Sequence, residues 1–314
     1  MASASSARSG ERVVHWLLLL GALCAAGWLA WSGLRRAGGG EGRARAGLEP
    51  AGAVPPGPQL LITADVEALV AVAGPQLLQA GAGALLGLKE LCGFEPLLAM
   101  RRVAFAMPPS SSDFAFIAET SLSSEQVLRC AELTMRKRGG APVRFRYGAF
   151  SSVRDQRRPV GEMAIRPDGL FVLSGGQYFR DVLDQAGGVT RPSGPARQYD
   201  ALHAGVRRRL GTNQLTVSSV TLEPNAEPRG VRSMGLAIDV RRRTRLRGYA
   251  SCVDESSCRD ALEMLDSLRQ SLAADPVFSP LASTRFVQQG AELFGEGELG
   301  SEQLGPMVAR LLAP

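Results

Sequence analysis

Few side chains in this 314-residue sequence have a type and spacing that could do chemistry. There are two histidines, His15 and His203, and His15 lies inside a long apolar run. A zinc site needs three or four good ligands, so one further histidine and dispersed cysteines do not supply one. No metal and no cofactor is expected. His203 sits in the helical stretch RQYDALHAGVRRRLG, three residues after Asp200. That spacing puts the two on neighbouring turns, where Asp200 could orient His203 as the base for a remote serine. The simpler reading is a helix histidine partly exposed to solvent. The serine-hydrolase patterns GxSxG and SxxK are both absent. Paired carboxylates occur at Asp254-Glu255 and at Asp181 with Asp184. The first pair falls where a helix begins and suits its positive end. Neither is set in a glycosidase pattern, and no catalytic residue is assigned.

Anion-binding patterns are the next candidates. Gly81-Ala82-Gly83-Ala84-Leu85-Leu86-Gly87 misses the dinucleotide fingerprint, because its third glycine comes one residue late and no clear strand leads into it. Leu173-Ser174-Gly175-Gly176-Gln177 joins a strand to a helix. Its amides could receive an anion, but the simpler reading is a helix capped by Ser174. Arg207-Arg208-Arg209 ends a helix, where cations complement the dipole. Arg241, Arg242, Arg243, Arg245 and Arg247 crowd a hairpin between two strands. They are the candidate contact for lipid headgroups or another polyanion. The alternative is a solvated loop in an arginine-rich chain, since only Lys89 and Lys137 are lysines. Tyr249 is the one aromatic nearby, so nucleic acid is not an expected partner.

Of five cysteines, Cys24 lies in the apolar run. Cys252 and Cys258 are six apart, at the end of a strand and the start of a helix, and could bridge locally. Cys92 and Cys130 would then pair by default. The alternative is four reduced, buried thiols. No CxxC is present, so neither a zinc ribbon nor a thioredoxin-like pair is indicated.

The elements that must position these residues alternate along residues 59–314. Strands are expected at Gln59–Thr63, Arg102–Met107, Phe114–Glu119, Val143–Val153, Gly161–Ser174, Leu215–Leu222, Arg232–Val240, Leu246–Val253, Thr284–Gln289 and Ala291–Leu299. A turn at Pro167-Asp168-Gly169 folds the run from Gly161 to Ser174 back on itself. A mostly helical stretch is expected over Asp65–Leu91, broken near Gly74-Pro75. Further helices are expected at Ser123–Arg138, Gln177–Gln185, Gln198–Leu210, Ser256–Ala273 and Glu302–Leu312. Ser123 and Gln126 form a capping box, and Gly139-Gly140 stops the helix they start. Ala261, Leu265, Leu268 and Leu272 fall on one helical face. The order strand, strand, helix, strands, helix runs from Arg102 to Gln185 and again from Arg232 to Leu312. The fold class is therefore α+β: antiparallel sheets with helices on one face, with two duplicated halves at 59–190 and 198–314.

Composition excludes the extremes. Apolar residues make up 45% and charged residues 21%, which does not fit a collagen-like, fully disordered or multi-span chain. Residues 1–56 carry six arginines against three glutamates, half of the net +6. The remainder is only mildly basic. A short tail, 1–12, precedes Val13–Leu34, in which no charged residue occurs. As a helix this run spans about 33 Å, enough for a bilayer. Trp16, Trp28 and Trp31 mark its ends, as suits the membrane interface. It reads as a retained transmembrane signal anchor whose partner is the lipid bilayer. Small-residue sites at Ala25-Ala26-Gly27 and Ala30-Trp31-Ser32 would instead make it a cleaved signal peptide. Residues 35–58 are Gly, Ala, Pro and Arg, a disordered tether.

These features describe a single-pass protein of a bacterial inner membrane. Its C-terminal domain would be periplasmic and would bind or scaffold an envelope partner. Arg35, Arg36, Arg43 and Arg45 beyond the span argue for the opposite orientation. Two alternatives remain: an exported hydrolase with a carboxylate site, and a domain contacting anionic lipid or polyanion through Arg241–Arg247.

Overall fold

Twelve strands hydrogen-bond into one antiparallel sheet. The computed structural model describes residues 49–69, 71, 90–94, 99–109, 113–157, 161–189, 194–222, 230–241, 243–300 and 303. Outside them lie the expected span at 13–34 with its three tryptophans, most of the tether, the Gly81–Gly87 stretch, Arg242, and the closing helix except Gln303. Among the described residues, no helix is long and apolar enough to cross a membrane.

The first half comprises β1 (Leu60–Asp65), β2 (Met100–Met107), β3 (Ala115–Thr120), β4 (Pro142–Tyr147), β5 (Phe150–Asp155), β6 (Glu162–Ile165) and β7 (Leu170–Ser174). The second comprises β8 (Leu215–Val220), β9 (Val231–Asp239), β10 (Thr244–Cys252), β11 (Arg285–Gln289) and β12 (Glu292–Leu299). Four α-helices and two 3-10 turns, Pro50–Ala53 and Ser279–Ser283, complete the described elements: α1 (Ser124–Lys137), α2 (Tyr178–Ala186), α3 (Pro195–Leu210) and α4 (Glu255–Ala273). Across the sheet the strands run in the order β11-β12-β10-β9-β8-β1-β2-β3-β7-β6-β5-β4, and the connection order recurs. Three strands in a meander lead into a helix, and the chain then returns so that its last strand pairs with the third. β3 takes β7 in the first half, and β10 takes β12 in the second. The halves join edge to edge where β1 pairs with β8, from Leu60 opposite Ser219 to Ala64 opposite Leu215.

Local chemistry sets the boundaries. Gln126 N–H donates to Ser123 Oγ at 3.3 Å, and Ser123 N–H donates to Gln126 Oε1 at 3.0 Å, closing the capping box of α1. α4 starts one residue before the expected Ser256, because Asp254 Oδ1 accepts from Ser257 N–H at 2.8 Å. The run Val143–Val153 is two strands, turned at Gly148 with φ +55°. Ser174 does not cap α2; its hydroxyl donates to the Phe114 carbonyl at 2.6 Å.

Helices cover both faces of the sheet, not one as expected. Neighbouring residues of a strand point to opposite faces. Phe171 packs with Val127, Leu128 and Ala131 of α1, while Val172 packs with Val182 and Leu183 of α2. In the second half, Met234 and Ala250 meet Ala261 of α4, while Ala237 and Tyr249 meet Val206 and Leu210 of α3. Both faces of the central strands are apolar, so both must be covered.

The tether also ends earlier than expected. Pro50–Ala53 form a 3-10 turn, and Ala53 and Val54 are buried in the core beneath α2. Gly57 N–H donates to Asp200 Oδ1 at 2.9 Å. Small side chains and prolines lose little rotamer entropy on burial, so a segment poor in bulky residues still seats against a preformed surface.

Two disulfides fix the helices of one face. Cys92–Cys130 ties α1 to the segment before β2, with Cα atoms 4.9 Å apart. Cys252–Cys258 ties the end of β10 to the first turn of α4, at 5.5 Å. The pairing is the one expected, and it suggests an oxidising, extracytoplasmic compartment.

Candidate functional site

His203 is 1% exposed, not partly exposed as expected. Its Nε2–H donates to the Pro58 carbonyl at 2.8 Å, which leaves Nδ1 to accept from the Ser218 hydroxyl at 2.7 Å. Asp200 is occupied with Gly57. A serine does stand beside His203, and both are buried. The group is a latch. It pins the segment entering β1 to α3 and β8.

Burial holds the His203 pKa below its ordinary 6.5. The unfolded chain therefore takes up a proton as pH falls through about 6.5, while the folded chain does not. Stability present above that pH is lost as pH drops towards the folded value. We expect urea midpoints of the wild type to fall over this window. His203→Gln should be about 1–3 kcal/mol less stable at pH 7.5 and should lose that part of the pH slope. An unchanged slope would show that another group carries it.

Two of the paired carboxylates have structural partners. Asp254 caps α4, and hydrogen bonds from Ser257 and Ser256 hold its carboxyl below the usual range. Asp184 accepts from the Tyr147 hydroxyl at 2.8 Å.

The arginine hairpin is largely engaged. Arg243 and Arg245 lie 3.7 and 3.5 Å from Glu298. Arg247 donates to the Leu210 carbonyl at 3.3 Å, where it completes the end of α3. Arg241 is exposed. Arg209 of the other run binds both oxygens of Glu292 at 2.9 Å, and Tyr249 donates to the same carboxylate at 2.7 Å. Surface pairs of this kind contribute little stability each.

The prominent concavity lies elsewhere, between α4 and the sheet. It encloses about 430 Å³, within the roughly 300–1,000 Å³ of small-molecule sites. Leu236, Met234 and Phe286 are among the sheet residues that line it, and Ala261, Met264 and Leu265 come from α4. No acidic side chain among the described residues lines it. This is not the converging carboxylate site that a hydrolase of the expected kind would need.

Glycines create this space. Gly248 and Gly295 face each other across β10 and β12, beside Leu236 of β9. A Cβ on Gly248 would meet nothing nearer than the Gly295 Cα at 3.6 Å. The floor of the pocket is thus bare backbone. On the opposite face Gly235 does the reverse. A Cβ there would lie 2.9 Å from Leu210 Cδ1, so its absence lets α3 pack directly on the sheet. Accordingly α3 buries Tyr199, His203, Val206 and Leu210, whereas α4 buries only Cys258 and Ala261. The face carrying Leu265, Leu268 and Leu272 is half-buried, and Met264 is 52% exposed. α4 is tied to the sheet at its first turn by the disulfide, and Leu262 and Leu265 pack partly buried against Met234 and Leu293. Sequence reasoning missed this site; the available signal was glycine inside otherwise apolar strands, which marks close approach of a ligand or another backbone.

No family model and no curated protein matches this chain. Two crystal forms of the protein TP0453 are similar in structure. Form I has a TM-score of 0.48 and 13% identity, covering 85% of this chain and 99% of that one. Form III has a TM-score of 0.47 and 12% identity, covering 85% and 100%.

Proposed function

We propose that this chain is a membrane-anchored envelope protein whose extracytoplasmic domain holds an alkyl chain between α4 and the sheet. The apolar 430 Å³ pocket carries the reading. Burial of an alkyl chain there would contribute about 0.8 kcal/mol per methylene. The anchor is Val13–Leu34 in a bacterial inner membrane, with the domain on the periplasmic side, a placement the two disulfides support. The recurring connection order supports an origin of the domain by duplication. The envelope partner of such a domain would then be a lipid or a protein that delivers or receives one.

A fatty alcohol bearing a diazirine near its chain end tests this on the full chain in nanodiscs. Labelling of residues 13–34 by probe dissolved in the bilayer serves as the internal control. We expect additional labels on Met264, Leu265 and Phe286, saturable by unlabelled alcohol. Labels confined to residues 13–34 would overturn the proposal.

A further inference from the structure

The pocket has a polar end, and its geometry orders a ligand. Arg232 is the only charged side chain among the described residues that line it. It is exposed and has no ion-pair partner among the described residues. Thr221 N–H donates to the Arg232 carbonyl at 2.8 Å, which places Thr221 across from Arg232 on the same face of the sheet. Ser219, opposite Met234, follows one step in. Arg232 is the extra residue of a β-bulge in β9 opposite Cys252, and Met234 and Leu236 follow it along the pocket lining. At about 6.6 Å per pair of residues, the trough runs roughly 13 Å from the Arg232 backbone to Leu236 beside the glycine floor. Beside Leu236, across the neighbouring strands, the lining continues over the Gly248–Gly295 backbone to Phe286.

From this we infer that the pocket selects a single-chain amphiphile with an anionic head, carboxylate or phosphate, bound by Arg232 with its chain laid over Met234 and Leu236. The inference rests on the pocket holding an alkyl chain and adds the class of its headgroup. A guanidinium presents a fork of donors that matches either oxyanion, and among the described residues no acidic group in the lining opposes the charge. Ser219, opposite Met234, lies on the same side of the sheet as the head.

Three diazirine probes of equal chain length separate the possibilities on the full chain in zwitterionic nanodiscs: a fatty acid, a lysophosphatidic acid and a fatty alcohol. Expected is half-maximal labelling of Met264 and Leu265 at an at least tenfold lower concentration for one or both anionic probes than for the alcohol, an advantage that shrinks with salt. Which anionic probe gains it identifies the carboxylate or the phosphate as the head. Arg232→Gln should abolish the advantage without moving the alcohol's midpoint, and Arg232→Lys should retain part of it. Equal midpoints for all three probes in the wild type would sink the headgroup assignment while leaving the alkyl site intact. So would an Arg232→Gln effect that weakens all three alike. Absence of any label in the pocket would remove the alkyl site itself.

Discussion

Reduction of both disulfides should bring the domain close to unfolding at room temperature. A bridge destabilises the unfolded chain by restricting its loop, and the loop length sets the size. Cys92–Cys130 spans a separation of 38 residues and Cys252–Cys258 a separation of 6. On the chain-entropy scale these correspond to about 4 and about 2 kcal/mol. Their sum is comparable to the roughly 5–15 kcal/mol that stabilises an ordinary domain. Each bridge also secures a helix on the same face of the sheet, so its loss costs packing as well as loop restriction. Pulse proteolysis in urea reads this on the full chain. Tryptophan emission would not, because all three tryptophans lie at positions 16–31, outside the domain. Cys92→Ser with Cys130→Ser should lower the midpoint more than Cys252→Ser with Cys258→Ser. The second pair of substitutions should instead loosen the fixed end of α4 and weaken alkyl labelling. Equal, small shifts for both pairs would mean that the cross-links constrain little.

The second large effect is expected from one branched apolar side chain. Gly248 lies in a β-strand without positive φ, and a Cβ there makes only ordinary contacts. Gly248→Leu should therefore be accepted by the backbone and send its branch into the pocket. Filling an apolar void and removing a strand glycine both favour the folded state, together by about 1–3 kcal/mol. The melting temperature should rise by a few degrees. Alkyl labelling at Met264 and Leu265 should fall by more than tenfold, because the leucine occupies the volume the chain would take. A variant that is stabilised and does not bind separates site from fold. A variant that binds as before would show that the alkyl chain lies elsewhere. Gly295→Leu is the contrasting choice, since its Cβ would lie 2.8 Å from the Phe286 ring and should destabilise.

Much of the order of elements was readable because it is written in local chemistry. Alternation marks β9 and β10, the Ser123–Gln126 box starts α1, and Asp168-Gly169 turns β6 into β7. The Cys252–Cys258 bridge was legible because six residues join a strand end to a helix start. The errors share a cause. His203 looked solvent-facing because nothing near it in sequence is its partner; Pro58 is 145 residues away and Ser218 is 15. Residues 50–58 looked like tether because their small side chains carry no amphipathic pattern, yet they fit a groove made by other elements. The faces of the sheet were misassigned because strands buried on both sides give the same apolar run whichever helix covers them.

By itself the sequence determined the periods, the caps, the turns and the cysteine spacing, since these depend on residues a few positions apart. It also set the apolar run at 13–34 and the concentration of half the net charge at its flanks. Only the tertiary structure decided that Gly248 and Gly295 would meet across two strands. It alone placed α4 above them without filling the gap, and it left one arginine of many, Arg232, at the open end. A cavity belongs to no segment. It exists where several elements brought together by long-range pairing fail to fill the space between them, and no local pattern of residues encodes that.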